Sequence, residues 1–339
     1  MRRRVFLRRA LAATGATVGA VARPVHAQEP IRLRVSHFVP AAHVVHTMLL
    51  GPWAQRIEKD SGGRIKCELY PSMQLGGKPQ QLVDQVRAGV ADLVWTVPAY
   101  TPGRFPLSAV FELPFVVGST AEATSRAIWS FYQKHLRDEY KDVHPLLLHC
   151  HAPGVMHMKD SAVQRLEDVA GKKLRLPSKP LADAFRLIGA TPVGMPASEA
   201  YEALSRGVVQ GVTLPWEAVK SFRLNELARF HTIAEIYTTV FLVAMNRQKY
   251  ESLPADLRSV IDRNSGDNWI AEAGRIWDAA EGPGLQQARE SGHTIVELSA
   301  DEKIRWKRAM QSVVDEWIAT TPNGKALYAD ATAFIARQQ

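Results

Sequence analysis

The sequence predicts an α/β protein built from two lobes. Two observations predict this fold class: segments with the period of strands alternate with helical segments from residue 31 to residue 95, and the same alternation starts again after His151. Strands separated by helices of this length form βα units and a mainly parallel sheet. With 339 residues, the chain is long enough for two domains of medium size.

Residues 1–27 predict export from the cytoplasm. They carry six arginines and no acidic residue, a mildly apolar stretch over 10–22, and a small-x-small sequence that ends at Ala27. This order is typical of a secretory signal peptide that is cleaved near Ala27. The paired arginines before Val5 are also typical of a twin-arginine signal, and a plain secretory signal with incidental arginines is the alternative.

The net charge of +8 comes mostly from this leader. The chain has 42 Lys and Arg residues against 34 Asp and Glu residues, and without the six leader arginines the counts are 36 and 34. A nearly neutral remainder has no strong positive field to attract nucleic acid or anionic lipid. No later segment reaches the roughly 20 apolar residues that a spanning helix needs, so we also predict no direct membrane insertion.

The first lobe is predicted from alternating strands and helices. Residues 31–35 alternate apolar and polar side chains, which is the period of a strand with one buried face. The elements that follow in order are a helix through 48–57 that ends near the glycines at 62 and 63, a strand over 64–70, a helix through 82–86 and a strand over 91–95.

The second lobe repeats this order. Its predicted elements are a strand over 157–163, a strand ending at 176, a helix over 177–187, a strand over 191–193, a helix over 197–207 and a strand over 208–212. The continuous apolar run over 238–245 predicts a buried strand that crosses back between the lobes, and the chain is mainly helical from Pro254 onward. The predicted division is 29–152 plus 240–280 for lobe I and 153–239 plus 281–339 for lobe II.

No motif in the sequence predicts catalysis or a metal. The histidines at 144, 149, 151 and 157 surround Cys150 and could hold a metal, but His149 and His151 alternate with Cys150 along a probable strand. There is no nucleophile elbow, Walker loop or dinucleotide fingerprint. We therefore predict no metal, no cofactor and no enzyme activity, although two carboxylates distant in sequence could still converge.

Arg175 is the strongest candidate for a binding residue. It stands at the end of a predicted strand, just before Pro177, where a βα loop faces the crevice outside the sheet. A guanidinium group is planar and always charged, and it can hold a carboxylate through two parallel hydrogen bonds. On position alone, an arginine in solvent on an edge strand is an equal alternative.

Four aromatic residues at comparable loop positions are candidates for the wall of a pocket. These residues are Phe38, Trp95, Tyr100 and Trp216. Ligand sites are mostly apolar with a few placed polar groups, so such side chains suit a pocket. Ordinary core packing is the alternative for each of them.

Five motifs in sequence order carry a resemblance to a known family. They are YPSMQLGG at 70–77, FELPF at 111–115, DVAGKKLR at 168–175, EAYEAL at 199–204 and GVVQG at 207–211. Together they resemble the periplasmic solute-binding proteins of tripartite ATP-independent periplasmic (TRAP) transporters, the DctP type. The resemblance covers essentially the whole chain after the leader.

The resemblance implies an architecture and a function. It implies a two-lobed α/β receptor in the periplasm with a central cleft, a long helix along both lobes, and closure on one small organic acid. It implies integral membrane subunits, driven by an ion gradient, that take the ligand from the closed receptor. The carboxylate-binding arginine of the family, in its Lys-x-Arg-x-Pro strand end, falls on Arg175.

Departures from the family narrow the expected ligand. Where the sialic-acid branch has a second arginine and an asparagine, this chain has Met156 and Leu214. With these polar contacts missing and Trp216 nearby, we predict a monocarboxylate with an apolar or aromatic body. Met195 completes the predicted ligand-binding residues. An exported enzyme acting on a small organic acid in the same cleft is the alternative function.

Overall fold

The computed structural model describes residues 29–338. The predicted leader, 1–27, and its cleavage near Ala27 lie outside these residues. The strands are β1 (Ile31–His37), β2 (Ile65–Tyr70), β3 (Leu93–Thr96), β4 (His144–Cys150), β5 (Val155–Met158), β6 (Lys173–Leu176), β7 (Thr191–Gly194), β8 (Gly211–Leu214), β9 (Phe230–Ile233), β10 (Val240–Met245) and β11 (Thr294–Glu297).

The α-helices alternate with these strands at first and then dominate the C-terminal third. They are α1 (Gly51–Asp60), α2 (Leu82–Arg87), α3 (Ala121–Phe131), α4 (Lys179–Leu187), α5 (Ala200–Ser205), α6 (Trp216–Ser221), α7 (Arg247–Ser252), α8 (Ala255–Arg263), α9 (Ile270–Glu290), α10 (Ala300–Thr320) and α11 (Gly324–Ala336). None of the helices within 29–338 combines the length and the apolar composition needed to cross a membrane.

Lobe I is built on a five-stranded sheet with the order β2-β1-β3-β10-β4. β1 pairs in parallel with β2 and β3, whereas β10 lies antiparallel between β3 and β4. Every residue of β10 is buried, as expected for an apolar strand that is covered on both faces. The chain therefore returns to its first sheet after forming β5 to β9 of the second, which confirms the crossing predicted for 238–245.

Lobe II is built on a six-stranded sheet with the order β11-β9-β5-β8-β6-β7. β6 pairs in parallel with β7 and β8, whereas β5 runs antiparallel to β8 and β9. The mainly parallel sheets predicted from sequence are thus mixed sheets. The antiparallel members β5 and β10 each enter from the other lobe, so no crossover helix fixes their direction.

Two predicted strands of lobe II have different bounds in the structure. The strand predicted over 157–163 ends at Met158, and the strand predicted over 208–212 begins only at Gly211. Gly207 has a φ of 69°, a left-handed conformation that suits glycine and ends helices. The chain therefore uses residues 207–210 for a turn before it can enter the sheet.

Helix α9 joins the two lobes. The Asp278 carboxylate accepts hydrogen bonds from the first two backbone N–H groups of α3, at 2.6 and 3.1 Å. One turn later, the Glu281 carboxylate accepts from the first two N–H groups of α6, at 2.9 and 3.3 Å. Acidic groups are favourable at helix N-termini, where N–H groups lack partners. The long helix implied by the family resemblance is thus present, and it caps one helix in each lobe.

Two glycines let α9 approach both lobes closely. A Cβ atom at Gly274 would lie 2.2 Å from the Cα of Glu122, and one at Gly284 would lie 2.2 Å from the carbonyl oxygen of Trp216. Real side chains do not tolerate such distances, so these two contacts require glycine. Gly282, on the same helix, has no such neighbour within 4 Å.

The C-terminal helices are divided between the lobes. α10 packs on lobe II, where Trp306 meets Phe185 edge to face. α11 instead lies on lobe I, where Asp330 pairs with Lys134 at 2.6 Å and with His135 at 2.7 Å. The sequence-based division placed 281–339 in lobe II, and α11 is an exception to it because of these contacts. The rest of the division stays a prediction.

We predict that Gly284→Ala destabilises the protein by about 1 to 3 kcal/mol, because the added methyl group overpacks the contact with α6. Gly282→Ala is the matched control, and it should be neutral or stabilising by up to about 1 kcal/mol, because alanine favours a helix more than glycine does. Urea unfolding followed by circular dichroism measures both. Equal free energies of unfolding for the two variants would contradict the close approach at Gly284.

Candidate functional site

A small cavity of about 30 Å³ lies where the two lobes meet. Its walls come from the ends of β1, β3, β6 and β8, from β10 and from α9. The lining side chains are mainly apolar, and the polar ones are His43, Tyr100, His151, Arg175 and Thr239. The composition is that of a site for a small molecule.

Arg175 is the charged group of this cavity. Its strand, β6, is an interior strand of the second sheet, and the residue is 1 % exposed, so it is not an arginine in solvent on an edge strand. Nε donates to the carbonyl oxygen of Met195 at 2.9 Å, and Nη1 donates to the carbonyl oxygen of Thr213 at 3.0 Å. Nη2 donates to the hydroxyl oxygen of Tyr100 at 3.2 Å.

These three bonds leave the Arg175 guanidinium incompletely satisfied. A guanidinium has five N–H donors, so one N–H remains on each Nη atom. Because Nε is occupied, a carboxylate can engage only the Nη1–Nη2 end of the group. Arg175 forms no ion pair with any acid in the part of the chain that the structure describes. A buried charge without a partner is costly, so this arrangement is suited to an anion.

Tyr100 connects the two lobes at this point. Its hydroxyl oxygen accepts from Arg175 Nη2 and also from the backbone N–H of Ala197, at 2.9 Å, both of which belong to lobe II. Burial raises the pKa of Tyr100, so its hydroxyl keeps its proton. That proton has no acceptor among residues 29–338 and is available to a ligand. Tyr100, predicted as an apolar wall, is therefore also a polar contact.

A second polar contact, next to the cavity, joins the two lobes. His43 Nε2 lies 2.9 Å from a carboxylate oxygen of Glu217, and both side chains are buried. His43 Nδ1 accepts from the backbone N–H of Val45 at 3.1 Å, so the ring proton is on Nε2, which faces the Glu217 carboxylate. His43 follows β1 in lobe I and Glu217 lies on α6 in lobe II. Nδ1 is thus hydrogen-bonded, and Nε2 has a carboxylate oxygen as its polar neighbour.

An aromatic wall lines the lobe I side of the cavity. Phe38 packs on Trp95, Trp95 on Phe241, and Phe241 on Trp277, with ring centroids 5.1, 4.7 and 5.0 Å apart. Behind them, His149 lies 3.0 Å from the indole nitrogen of Trp95 and 3.1 Å from that of Trp277. Burial lowers the pKa of His149 to about 3, and a neutral imidazole accepts only one hydrogen bond, so the two indoles compete for it.

The structure brings together most of the predicted site residues. Phe38, Trp95, Tyr100, Arg175 and Leu214 line the cavity. Met195 contributes only its backbone oxygen to Arg175.

Met156 and Trp216 are corrections to the predicted wall, because neither lines the cavity. Met156 is buried within the second sheet, in register with Thr213. Trp216 packs on His157 and His231, with ring centroids 5.0 and 4.8 Å apart.

Several lining residues were not predicted. His43, Phe241 and Trp277 lie far apart in the sequence, on a turn, a buried strand and a long helix. Their local patterns indicate only secondary structure, so no signal in the sequence distinguishes them from core residues. His151 was considered only as a metal ligand. Among residues 29–338, no group of three or more His, Cys, Asp and Glu side chains is arranged to hold a metal.

A larger cavity of about 330 Å³ lies beside the first one. The loop after β3, the start of α4 and the end of α10 line it. Its one cation, Lys179, is exposed and already paired with Asp183. Glu112, a further lining residue, is 4 % exposed, and burial raises its pKa to about 8. This cavity therefore offers an uncharged acid and no free cation to an organic anion.

We predict that Glu112→Gln removes a pH dependence of stability. The pKa of Glu112 is about 8 in the folded state and about 4.3 in an unfolded chain. The fold thus favours the protonated acid, and the resulting stability is present below pH 4 and is lost as the pH rises through 8. Urea unfolding between pH 5 and 8.5 should show the parent losing stability relative to Glu112→Gln. A difference that stays constant with pH would contradict this, and Glu202→Gln on the exposed surface is the control.

The chain is similar to a known family and to solved structures. Residues 35–321 match the family described as DctP, bacterial extracellular solute-binding protein, family 7. A marine metagenome TRAP solute-binding protein, specific for aromatic acid ligands and solved with 3-hydroxybenzoate, is 40 % identical, with a TM-score of 0.89. The match covers 92 % of this chain and 99 % of that protein.

Two further solved structures are similar to the chain. A TRAP solute-binding protein from Rhodoferax ferrireducens, with copurified benzoate, is 40 % identical with a TM-score of 0.88, over 91 % of this chain and 98 % of that one. One from Bordetella bronchiseptica, with bound (R)- and (S)-mandelate, is 30 % identical with a TM-score of 0.85, over 91 % of this chain and 100 % of that one.

Proposed function

Because the chain belongs to bacterial extracellular solute-binding protein family 7, the DctP family, we propose that it binds small aromatic monocarboxylates for a TRAP transporter. The family makes the chain an extracytoplasmic solute receptor and not an enzyme, as the sequence predicted. The observation that carries the ligand class is the buried Arg175 guanidinium, which faces an aromatic cavity without an acidic partner in the described part of the chain.

The carboxylate of the ligand is assigned to Arg175 and Tyr100. The two remaining Nη N–H groups of Arg175 bind the two carboxylate oxygens end-on, and the Tyr100 hydroxyl proton is a further donor. Charge-assisted bonds of this kind are strong, and they are stronger still where water is excluded. The ligand thereby supplies the negative charge that the protein does not provide.

The body of the ligand is assigned to the aromatic wall of Phe38, Trp95, Phe241 and Trp277. Flat aromatic surfaces at these distances favour an aromatic or compact apolar body over a sugar chain, whose hydroxyl groups would each need a partner. The relatives at 40 and 30 % identity, solved with 3-hydroxybenzoate, benzoate and mandelate, support this ligand class.

Ligand binding is coupled to closure of the lobes. The Tyr100–Arg175 and His43–Glu217 contacts both bridge the lobes around the cavity, so they form when the lobes close and break when they open. The closed receptor delivers its ligand to the integral membrane subunits of the transporter. We also assign the mature protein to the periplasm, with the leader cleaved near Ala27.

We predict that Arg175→Met weakens the binding of benzoate by about 100- to 10,000-fold. Loss of a partner from a buried ion pair costs about 3 to 5 kcal/mol, because the other charge stays buried and unpaired. Isothermal titration calorimetry measures the affinity. The control is Arg186→Ala, an exposed arginine on α4, which should bind like the parent. Parent-like affinity of a folded Arg175→Met variant would refute the assignment of the carboxylate.

We predict that a thermal-shift panel separates ligands by their body. Benzoate, 3-hydroxybenzoate and mandelate should raise the melting temperature, because they match one cation and an aromatic wall. Gluconate and succinate should leave it nearly unchanged, since extra hydroxyl groups or a second carboxylate lack partners in this cavity. A large shift with gluconate and none with the aromatic acids would overturn the proposed ligand class.

A further inference from the structure

We propose that His151 recognises a hydroxyl group on the ligand, so that the receptor prefers hydroxylated aromatic monocarboxylates over unsubstituted ones. This inference rests on the proposed function, because it concerns the same cavity. It assigns His151, which the sequence suggested only as a metal ligand, as a residue that determines specificity.

The position of His151 places it in the aromatic part of the cavity. The residue directly follows β4, lines the cavity and is 2 % exposed. Its ring packs against those of Tyr237, Phe241 and Trp277, with centroids 5.7, 5.8 and 6.3 Å away. An apolar environment of this kind makes each hydrogen bond to the ring more valuable than it would be in water.

The hydrogen bond of Nδ1 fixes the role of the other ring nitrogen. Nδ1 contacts the carbonyl oxygen of Ala152, and a carbonyl oxygen can only accept, so Nδ1 carries the proton. Burial lowers the pKa of His151 to about 4, and the nearby Arg175 charge acts in the same direction. The ring is therefore neutral near pH 7, and Nε2 is an acceptor. Nε2 has no hydrogen-bond partner within residues 29–338.

None of the other polar groups of the cavity requires a hydrogen-bond donor from the ligand. Arg175 and Tyr100 offer donors, and a ligand carboxylate satisfies them because it only accepts. His43 accepts through Nδ1 from Val45, and its Nε2 faces the Glu217 carboxylate, so His43 offers no free acceptor. Thr239 has a hydroxyl that can donate or accept, so it imposes no requirement on a ligand. His151 Nε2 is thus the one lining atom that needs a donor from the ligand, and a hydroxyl group on the aromatic body supplies it.

Without such a hydroxyl, ligand binding would bury Nε2 with no partner. Sites built to bind a hydroxyl group discriminate strongly against analogues that lack it, because the unmatched polar group stays desolvated. We therefore expect at least one hydroxybenzoate isomer to bind about 10- to 100-fold more tightly than benzoate. The preferred isomer will be the one whose hydroxyl reaches His151 while its carboxylate remains on Arg175.

The test measures benzoate and its 2-, 3- and 4-hydroxy derivatives by calorimetry on three proteins. These proteins are the parent, His151→Phe, which removes the acceptor, and His151→Gln, which keeps one. His151→Phe should lose the preference for the hydroxylated acid, because benzoate then no longer buries an unpaired acceptor. His151→Gln should retain part of that preference. If His151→Phe does not fold, the measurements on the parent and on His151→Gln still test whether His151 recognises the hydroxyl group.

The outcomes that overturn the inference differ from those that overturn the proposed function. Equal binding of benzoate and all three isomers by the parent, or equal loss of both ligand types in His151→Phe, overturns the role of His151 and leaves the receptor function intact. Uptake of one proton on binding, measured in two buffers of different ionisation heat, also overturns it, because His151 would then be a donor to the carboxylate. Failure of all four acids to bind the parent overturns the proposed function itself.

Discussion

The site depends on one buried positive charge without a negative partner. Arg175 is held by two carbonyl oxygens and one hydroxyl, all of which orient the guanidinium and none of which neutralises it. An ionised group in a dry site is expensive unless it is paired. The ligand-free closed state is therefore unfavourable, and a carboxylate relieves the cost. Affinity and closure have the same physical origin.

The fold supplies two rigid halves that meet around this charge. β6 places Arg175 in an interior strand of the second sheet. Tyr100 follows β3, a strand of the first sheet. α9 caps a helix in each lobe through Asp278 and Glu281, so the same element is anchored on both sides. The contacts around the cavity include the Tyr100–Arg175 hydrogen bond, whereas α9 approaches both lobes closely at Gly274 and Gly284. Such a division lets the cleft open while the lobes stay connected.

Much of this arrangement is predictable from sequence. The lining residues that were not predicted escaped for a physical reason. The strand period, the turn signals and the Lys-x-Arg-x-Pro strand end indicate the two lobes and Arg175. Trp95 lies near the end of β3, and Phe38 and Tyr100 follow β1 and β3, at the strand ends where ligands bind in α/β folds. Phe241 and Trp277 lie in a buried strand and a helix, and only the packing of distant elements places them at the cavity. Trp216 was misplaced because α6 begins at this residue and turns the indole toward His157 and His231.

The same charge balance supports the proposal that the ligand carries one carboxylate. The cavity has one unpaired cation among its lining residues, and its other polar groups are neutral or already paired. A second carboxylate would be buried against aromatic rings and near Glu217, with no cation to compensate it. Its desolvation cost would exceed the gain from the larger contact area, since a buried, unpaired charge costs several kcal/mol. The aromatic wall therefore favours a ligand with a single charge as well as a ligand with a matching shape.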